Sequence, residues 1–297
     1  MVTTCSKAVQ NHITLSDGRR LSFAEFGDRQ GRPVFYFHGF PGSRLEAKLA
    51  DRISRESKVR FIGIDRPGYG RSSFKAVRTF IDWADDVAEL ADALGIERFS
   101  ILGVSGGGPY AAACACKIPD RLDAVGIICG MGPVDVPDLI SGMPWLYRQG
   151  LRLAGRLPQI TATLYSFSAF FFRNYPERML SILSGTVAGP DKIALKNEAL
   201  IQVLSASFRE AFRSNLRWPA TDVILYSRPW GFPLEGINIP VHIWHGEKDR
   251  IVPAAMAHYL AKIIPNCRAT FYLDEGHFSI ILNRIREIWE IFDMPSR

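Results

Sequence analysis

At 297 residues the chain is long enough for one large domain or two ordinary ones. Hydrophobic residues make up 47% and charged residues 22%, which excludes a disordered or low-complexity chain. The net charge of +6 is scattered, with no basic block and no base-stacking motif, so nucleic acid is not an expected partner. The opening residues MVTTCSKAVQNH lack the basic-then-apolar pattern of a secretion signal, and a cytoplasmic protein is expected. Five cysteines are sparse, and Cys114 and Cys116 have neither C-x-x-C nor zinc spacing. Free thiols in a reducing compartment and no metal site are the expectation.

Taken in order, Val34-Phe35-Tyr36-Phe37 reads as a buried strand running into His38-Gly39-Phe40-Pro41-Gly42. A helical pattern over 43–57 follows. A second strand, Phe61-Ile62-Gly63-Ile64, runs into Asp65-Arg66-Pro67-Gly68-Tyr69-Gly70-Arg71-Ser72, and a helix is predicted over 80–94. Phe99-Ser100-Ile101-Leu102 then delivers Gly103-Val104-Ser105-Gly106-Gly107 to an Ala-rich helix over 110–117. A strand over 124–129 closes this half. Over 131–232 the strand–helix alternation stops, and helices are predicted at 138–153, 158–172, 176–183 and 192–213. The alternation resumes with Val241-His242-Ile243-Trp244 running into His245-Gly246-Glu247-Lys248-Asp249-Arg250-Ile251-Val252-Pro253. A helix over 254–263, a strand over 269–273, the turn Asp274-Glu275-Gly276, His277 and a last helix over 280–292 complete the chain. The pattern predicts an α/β fold with a mostly parallel sheet and helices on both faces. Its core is 1–130 and 233–297, and 131–232 is a helical insertion.

Small residues flank Ser105 because a sharp strand-to-helix turn brings backbone too close for larger side chains. Such a turn projects the serine Oγ above the sheet edge, which makes Ser105 the candidate nucleophile. A serine hydroxyl is weak at neutral pH and needs a base. Histidine suits that role, since its unperturbed pKa lies near ~6.5.

The segments HGFPGSR (38–44), DRPGYGRS (65–72), GVSGGGPYA (103–111), HGEKDRIVP (245–253) and EGH (275–277), in this order, resemble the α/β-hydrolase family. The resemblance spans nearly the whole chain. It implies an eight-stranded sheet with a helical cap over 131–232, and cofactor-free serine hydrolase chemistry. The family's nucleophile–acid–histidine order fits Ser105, Asp249 and His277. Of the six histidines, His12 is read as an exposed strand residue, His242 as core and His258 as surface. His245 ends a strand, and His38 supports the oxyanion loop. Rivals for the acid are Glu247 and Asp135, and Asp249 also reads as a cap before Val252-Pro253. By resemblance the oxyanion hole uses the backbone N–H groups of Gly106 and Phe40. Asp65 and Arg66 are read as loop anchors.

Gly106 departs from many relatives, which carry a larger side chain there. It either leaves room beside Ser105 for a bulkier substrate group or merely eases the turn. The cap aromatics mostly pack between cap and core, with Trp145, Phe167, Phe170, Phe171 and the loop residue His38 as candidate pocket residues. The cluster 166–172 is too short for a bilayer span, which needs ~20 apolar residues. The reading is a carboxylesterase for small to medium hydrophobic esters, needing no metal or other cofactor and having no stable membrane anchor. A ligand receptor on this scaffold, or cleavage of amides, lactones, thioesters or C–C bonds and acyl transfer, remain alternatives, since fold alone does not fix chemistry.

Overall fold

A computed structural model describes residues 9–136 and 138–293. Most of the segment read for a secretion signal, including Cys5, lies outside the described residues. The strands are β1 (Val9–Thr14), β2 (Arg20–Gly27), β3 (Arg32–Phe37), β4 (Val59–Ile64), β5 (Phe99–Val104), β6 (Leu122–Ile128), β7 (Val241–Gly246) and β8 (Cys267–Tyr272). They form one eight-stranded sheet in the order β1-β2-β4-β3-β5-β6-β7-β8. β2 pairs antiparallel with β1 and β4, and every other pairing is parallel.

Period-two alternation sends the strand side chains to two cores. Phe35, Phe37, Ile101, Ile127 and Ile243 face one side, against α2 (Trp83–Ala93), α3 (Gly108–Lys117) and a later helix over Ala254–Ile263. Val34, Tyr36, Leu102, Val104, Ile128 and Trp244 face the other, where Trp289 and Phe292 pack. That side is covered by α1 (Asp51–Glu56) and by the C-terminal helix over Ile285–Asp293. Ala111, Ala112, Ala113 and Ala115 are buried on α3, and their small size lets it lie close on the sheet.

Between β6 and β7 come α4 (Trp145–Arg156), α5 (Pro158–Asn174), α6 (Pro176–Ser184), α7 (Gly189–Ala194), α8 (Glu198–Ala211) and α9 (Ala220–Tyr226). After β7 come α10 (Ala254–Ile263), α11 (Ser279–Asn283) and α12 (Ile285–Asp293). Leu180, Leu195, Leu200, Leu204 and Phe208 give the cap a core of its own. The helix predicted over 192–213 is two, broken where Asn197 caps α8 by accepting from Leu200 N at 3.0 Å. The helix predicted over 138–153 starts only at Trp145, after Pro144, whose fixed φ and missing N–H suit a helix entry. The last predicted helix divides at Arg284, and the one over 43–57 opens as a 3-10 turn, Arg44–Ala50. α9 was not foreseen.

Among the described residues no helix is long and apolar enough to cross a membrane. The chain crosses from one side of β3 to the other on leaving β4 for β5, a switch point of the kind that opens a crevice at the strands' carboxyl ends. Register aligns Phe37 with Gly103, Val104 with Ile128 and Ile128 with Trp244. The residues that follow, His38, Ser105, Cys129 and His245, therefore emerge along one edge.

Candidate active site

Ser105 has φ of +54°, a left-handed conformation that L-residues enter at a cost. Packing holds it there. Met131 N donates to Ser105 O at 3.0 Å. A Cβ on Gly107 would lie 2.2 Å from Phe37 O, so only glycine lets the elbow seat against β3. Gly106 follows in the first turn, where backbone N–H groups have no intrahelical acceptor. Ser105 itself is only 8% exposed.

The loops after β7 and β8 bring Asp249 to His277, with Oδ2 2.7 Å from Nδ1. The carboxylate can only accept, which fixes Nδ1 as donor and leaves Nε2 free to take a proton. Asp249 Oδ1 meanwhile accepts from Ile251 N at 2.8 Å and Val252 N at 2.9 Å. Those two bonds fold the loop ahead of α10 and do not cap the helix, whose N-cap is Pro253 with no side-chain cap bond, while Oδ2 makes the pairing with His277. Burial alone would raise the Asp249 carboxyl, but the facing His277 and His245 hold it well below the usual range. Burial likewise opposes charge on His277, yet Asp249, aided by Asp191 and Glu46, raises its pKa above the ordinary value. The rival acids lie elsewhere: Asp135 is exposed, and Glu247 pairs with His258 at 2.8 Å.

Asp222, on α9, is a site residue that the sequence reading missed. It is fully buried and accepts from Arg66 Nε at 2.9 Å, Arg78 Nη2 at 2.6 Å, Tyr110 Oη at 2.5 Å and Tyr69 Oη at 2.8 Å. Burial would push its carboxyl up, but Arg66 and Arg78 hold it at about 2. Arg66 spends its other donors on the loop after β3, bonding His38 O and, at 3.1 Å, Gly39 O. Burial and then the Arg66 charge hold His38 neutral, with Nδ1 donating to Gly39 O at 2.8 Å. Glu46 closes the loop from below, accepting from Gly39 N at 2.9 Å and Tyr36 Oη at 3.0 Å.

Neither reading of Gly106 describes what the structure shows. A Cβ there would lie 2.5 Å from Tyr226 Oη and 2.8 Å from Phe40 Cβ, so the cap and the loop after β3 fill the space. Tyr226 Oη donates to Gly106 O at 2.8 Å. The five candidate pocket residues are not gathered at the elbow. Trp145, Phe167 and Phe170 are 65%, 70% and 45% exposed, Phe171 packs edge-on against Phe167 and Phe170, and His38 is fully buried with no face for a ligand. The rings that meet Phe40 are Tyr165 at 5.3 Å and Tyr226 at 5.7 Å. Cys129, His245 and Asp249 lie close enough to hold a metal ion, but both Asp249 oxygens are engaged and burial keeps the Cys129 thiol protonated.

Residues 32–284 match the family model described as the alpha/beta hydrolase fold, and the chain belongs to that family. A bifunctional esterase/perhydrolase from Acinetobacter calcoaceticus is 24% identical over 244 residues, covering 82% of this chain and 83% of the relative. A non-heme haloperoxidase from Rhodococcus erythropolis is 25% identical over 276 residues, covering 91% and 94%. The solved structure of an esterase from Rhodococcus sp. superposes with a TM-score of 0.68 at 19% identity, covering 96% of each chain, a likeness of fold.

Two outcomes follow from this packing. Asp222→Asn strands two buried guanidinium groups and should cost about 3–5 kcal/mol in urea unfolding, whereas a loss below 1 kcal/mol would mean that the cluster is not held by charge. Gly106→Ala should cost about 1–3 kcal/mol by overpacking, and adding Tyr226→Phe should recover part of it. Strict additivity in the double variant would show that the two positions do not touch.

Proposed function

We propose that the chain is a serine hydrolase that cleaves small to medium hydrophobic esters through an acyl-enzyme on Ser105. The observation that carries this reading is the His277–Asp249 pair, 2.7 Å apart, at the sheet edge where Ser105 sits on its strained turn. Ser105 Oγ attacks the acyl carbon while His277 Nε2 takes its proton. The Phe40 and Gly106 amides hold the oxyanion, whose charge exists only in the transition state and intermediate. His277 then protonates the leaving alcohol, and afterwards draws a proton from the water that releases the acid. Asp249 stabilises the imidazolium throughout. No metal or other cofactor is needed for these steps.

Ester substrates are supported by the esterase named for the Acinetobacter relative. Hydrophobic acyl groups are supported by the paired rings of Phe40 and Tyr165, an aromatic surface beside the elbow. The side of Gly106 is filled, so the acyl chain must lie elsewhere. A reducing, cytoplasmic setting is consistent with the free state of Cys114, Cys116, Cys129 and Cys267.

Intact-mass labelling with a fluorophosphonate, alongside a p-nitrophenyl ester chain-length series, tests the reading. One adduct on the wild type, lost in Ser105→Ala, with turnover of some chain length, is the expected result. Labelling without turnover of any ester would instead favour a ligand receptor, and no adduct would end the serine-hydrolase reading. The base must be neutral to act, and His277 has a raised pKa. kcat/KM should therefore rise with pH, with its midpoint above the ordinary ~6.5. A flat profile across that range would remove His277 as base.

A further inference from the structure

We propose that Asp191, a residue of the cap, is a positioning residue for His277: its carboxylate fixes the backbone of the histidine loop and sets a second negative charge beside the imidazole. The proposal rests on the serine-hydrolase reading above.

Asp191 lies on α7, 86 residues before His277, and is fully buried. Its Oδ2 accepts from His277 N at 2.8 Å. Its Oδ1 accepts from Phe278 N at 2.8 Å and Ser279 N at 3.0 Å. Among the described residues no Lys or Arg forms an ion pair with it. Its charge is thus met by three backbone amides, one of them belonging to the residue that carries the imidazole. The loop closes tightly on it, since a Cβ on Gly276 would lie 2.4 Å from Oδ2. Phe278 and Leu282 pack against the cap core of Leu195, Leu200 and Leu204, which seals this contact from water.

A carboxylate serving only to cap α11 needs the Phe278 and Ser279 amides. The third bond, to His277 itself, goes beyond that. It pins the backbone from which the ring projects, so that Asp249 can align Nδ1 without carrying the whole loop. The charged and titratable groups around His277 and its partners come from five places. They are Asp249 on the loop after β7, Asp191 on α7, Glu46 on the 3-10 turn after β3, His245 on β7, whose Nε2 lies 3.4 Å from Asp249, and Cys129 after β6, beside Asp249. No Lys or Arg is among them, and Asp249, Asp191 and Glu46 all favour the imidazolium that forms as Ser105 gives up its proton.

The test uses the full chain and the pH dependence of the fluorophosphonate labelling rate at Ser105, with thermal unfolding and the downfield NMR proton of the His277–Asp249 hydrogen bond measured in parallel. Asp191→Asn keeps an acceptor for the Phe278 and Ser279 amides but loses the charge and the bond to His277. Its labelling rate should fall by about tenfold to a hundredfold, the scale of a misplaced reacting group, and its midpoint should move to lower pH. Gly276→Ala displaces the carboxylate without removing its charge, so its rate should fall while its midpoint stays near that of the wild type. A wild-type rate and midpoint in Asp191→Asn would overturn the proposal. So would a fall in rate that matches the loss of thermal stability, with an unmoved midpoint, since that is the signature of a helix cap alone. If Asp191→Asn does not fold, Gly276→Ala decides, and a wild-type rate there overturns the proposal. If the wild type takes no label, the serine-hydrolase reading fails by itself. The NMR proton then judges Asp191, with an unchanged titration in Asp191→Asn counting against it.

Discussion

Asp222 is a carboxylate that should not stay charged where it sits. Moving such a group out of water costs several kcal/mol even after relaxation, and the two guanidinium groups buried with it carry penalties of their own. What holds the cluster together is saturation, with Arg66, Arg78, Tyr69 and Tyr110 all donating to its two oxygens. The consequence reaches beyond stability, because Arg66 also holds the carbonyls of His38 and Gly39. The Gly39 carbonyl shares one planar peptide with the Phe40 N–H, and the His38 carbonyl belongs to the peptide before it. The orientation of a proposed oxyanion donor in the core is therefore set by a carboxylate in the cap. Tyr226, on the same helix as Asp222, bonds Gly106 O and so touches the other proposed donor residue as well. The left-handed Ser105 between them persists because neighbours on both sides leave the elbow no lower-energy seat.

Around His277 the carboxyl groups are pushed in opposite directions by their surroundings. Asp249 faces two imidazoles and is held ionised. Glu46 faces no cation as close, and burial raises it despite bonds from Gly39 N, Tyr36 and Ser207. Divergent environments of this kind divide labour between acidic groups. Asp249 is fitted to stay charged beside His277, while Glu46 is fitted to shape the loop above it. His38, sealed under that loop and driven neutral, belongs with the scaffold rather than with the substrate.

Strands β3 to β8 were legible because apolar runs mark them and polar or glycine-rich turns end them, whereas β1 and β2, at the antiparallel edge, were not placed. Ser105, Asp249 and His277 stood out because each falls in such a turn. The cap was legible as helices but not as surfaces. On α5 the inward residues are Tyr165, Ala169 and Phe172, at intervals of four and three, while Leu164 and Phe167 on the opposite side are largely exposed. Counting aromatics selected Phe167 and Phe170, and reading the helix by face would have selected Tyr165. Asp222 and Asp191 had no signal at all. Each is one aspartate in a helix of seven residues or fewer, and its partners lie far away in the chain. Long-range pairing of a buried charge leaves no local period to read. Gly106 was ambiguous for the same reason, since the group that requires it, Tyr226, is 120 residues away.

The two buried aspartates also constrain how a substrate can reach Ser105. One ties α9 to the oxyanion loop and the other ties α7 to the histidine loop, so cap and core share bonds on both flanks of the elbow. Lifting the cap as a rigid lid would expose both carboxylates and strand Arg66 and Arg78, at about 3–5 kcal/mol for each broken buried pair. It would also free the backbone that positions both proposed oxyanion donors, dismantling the site in the act of opening it. The cap helices that bury least of their length are α4 and α5, which carry Trp145, Leu164 and Phe167 in the open. Tyr165 of α5, its ring tilted against Phe40 at 5.3 Å, joins this exposed part of the cap to the loop after β3.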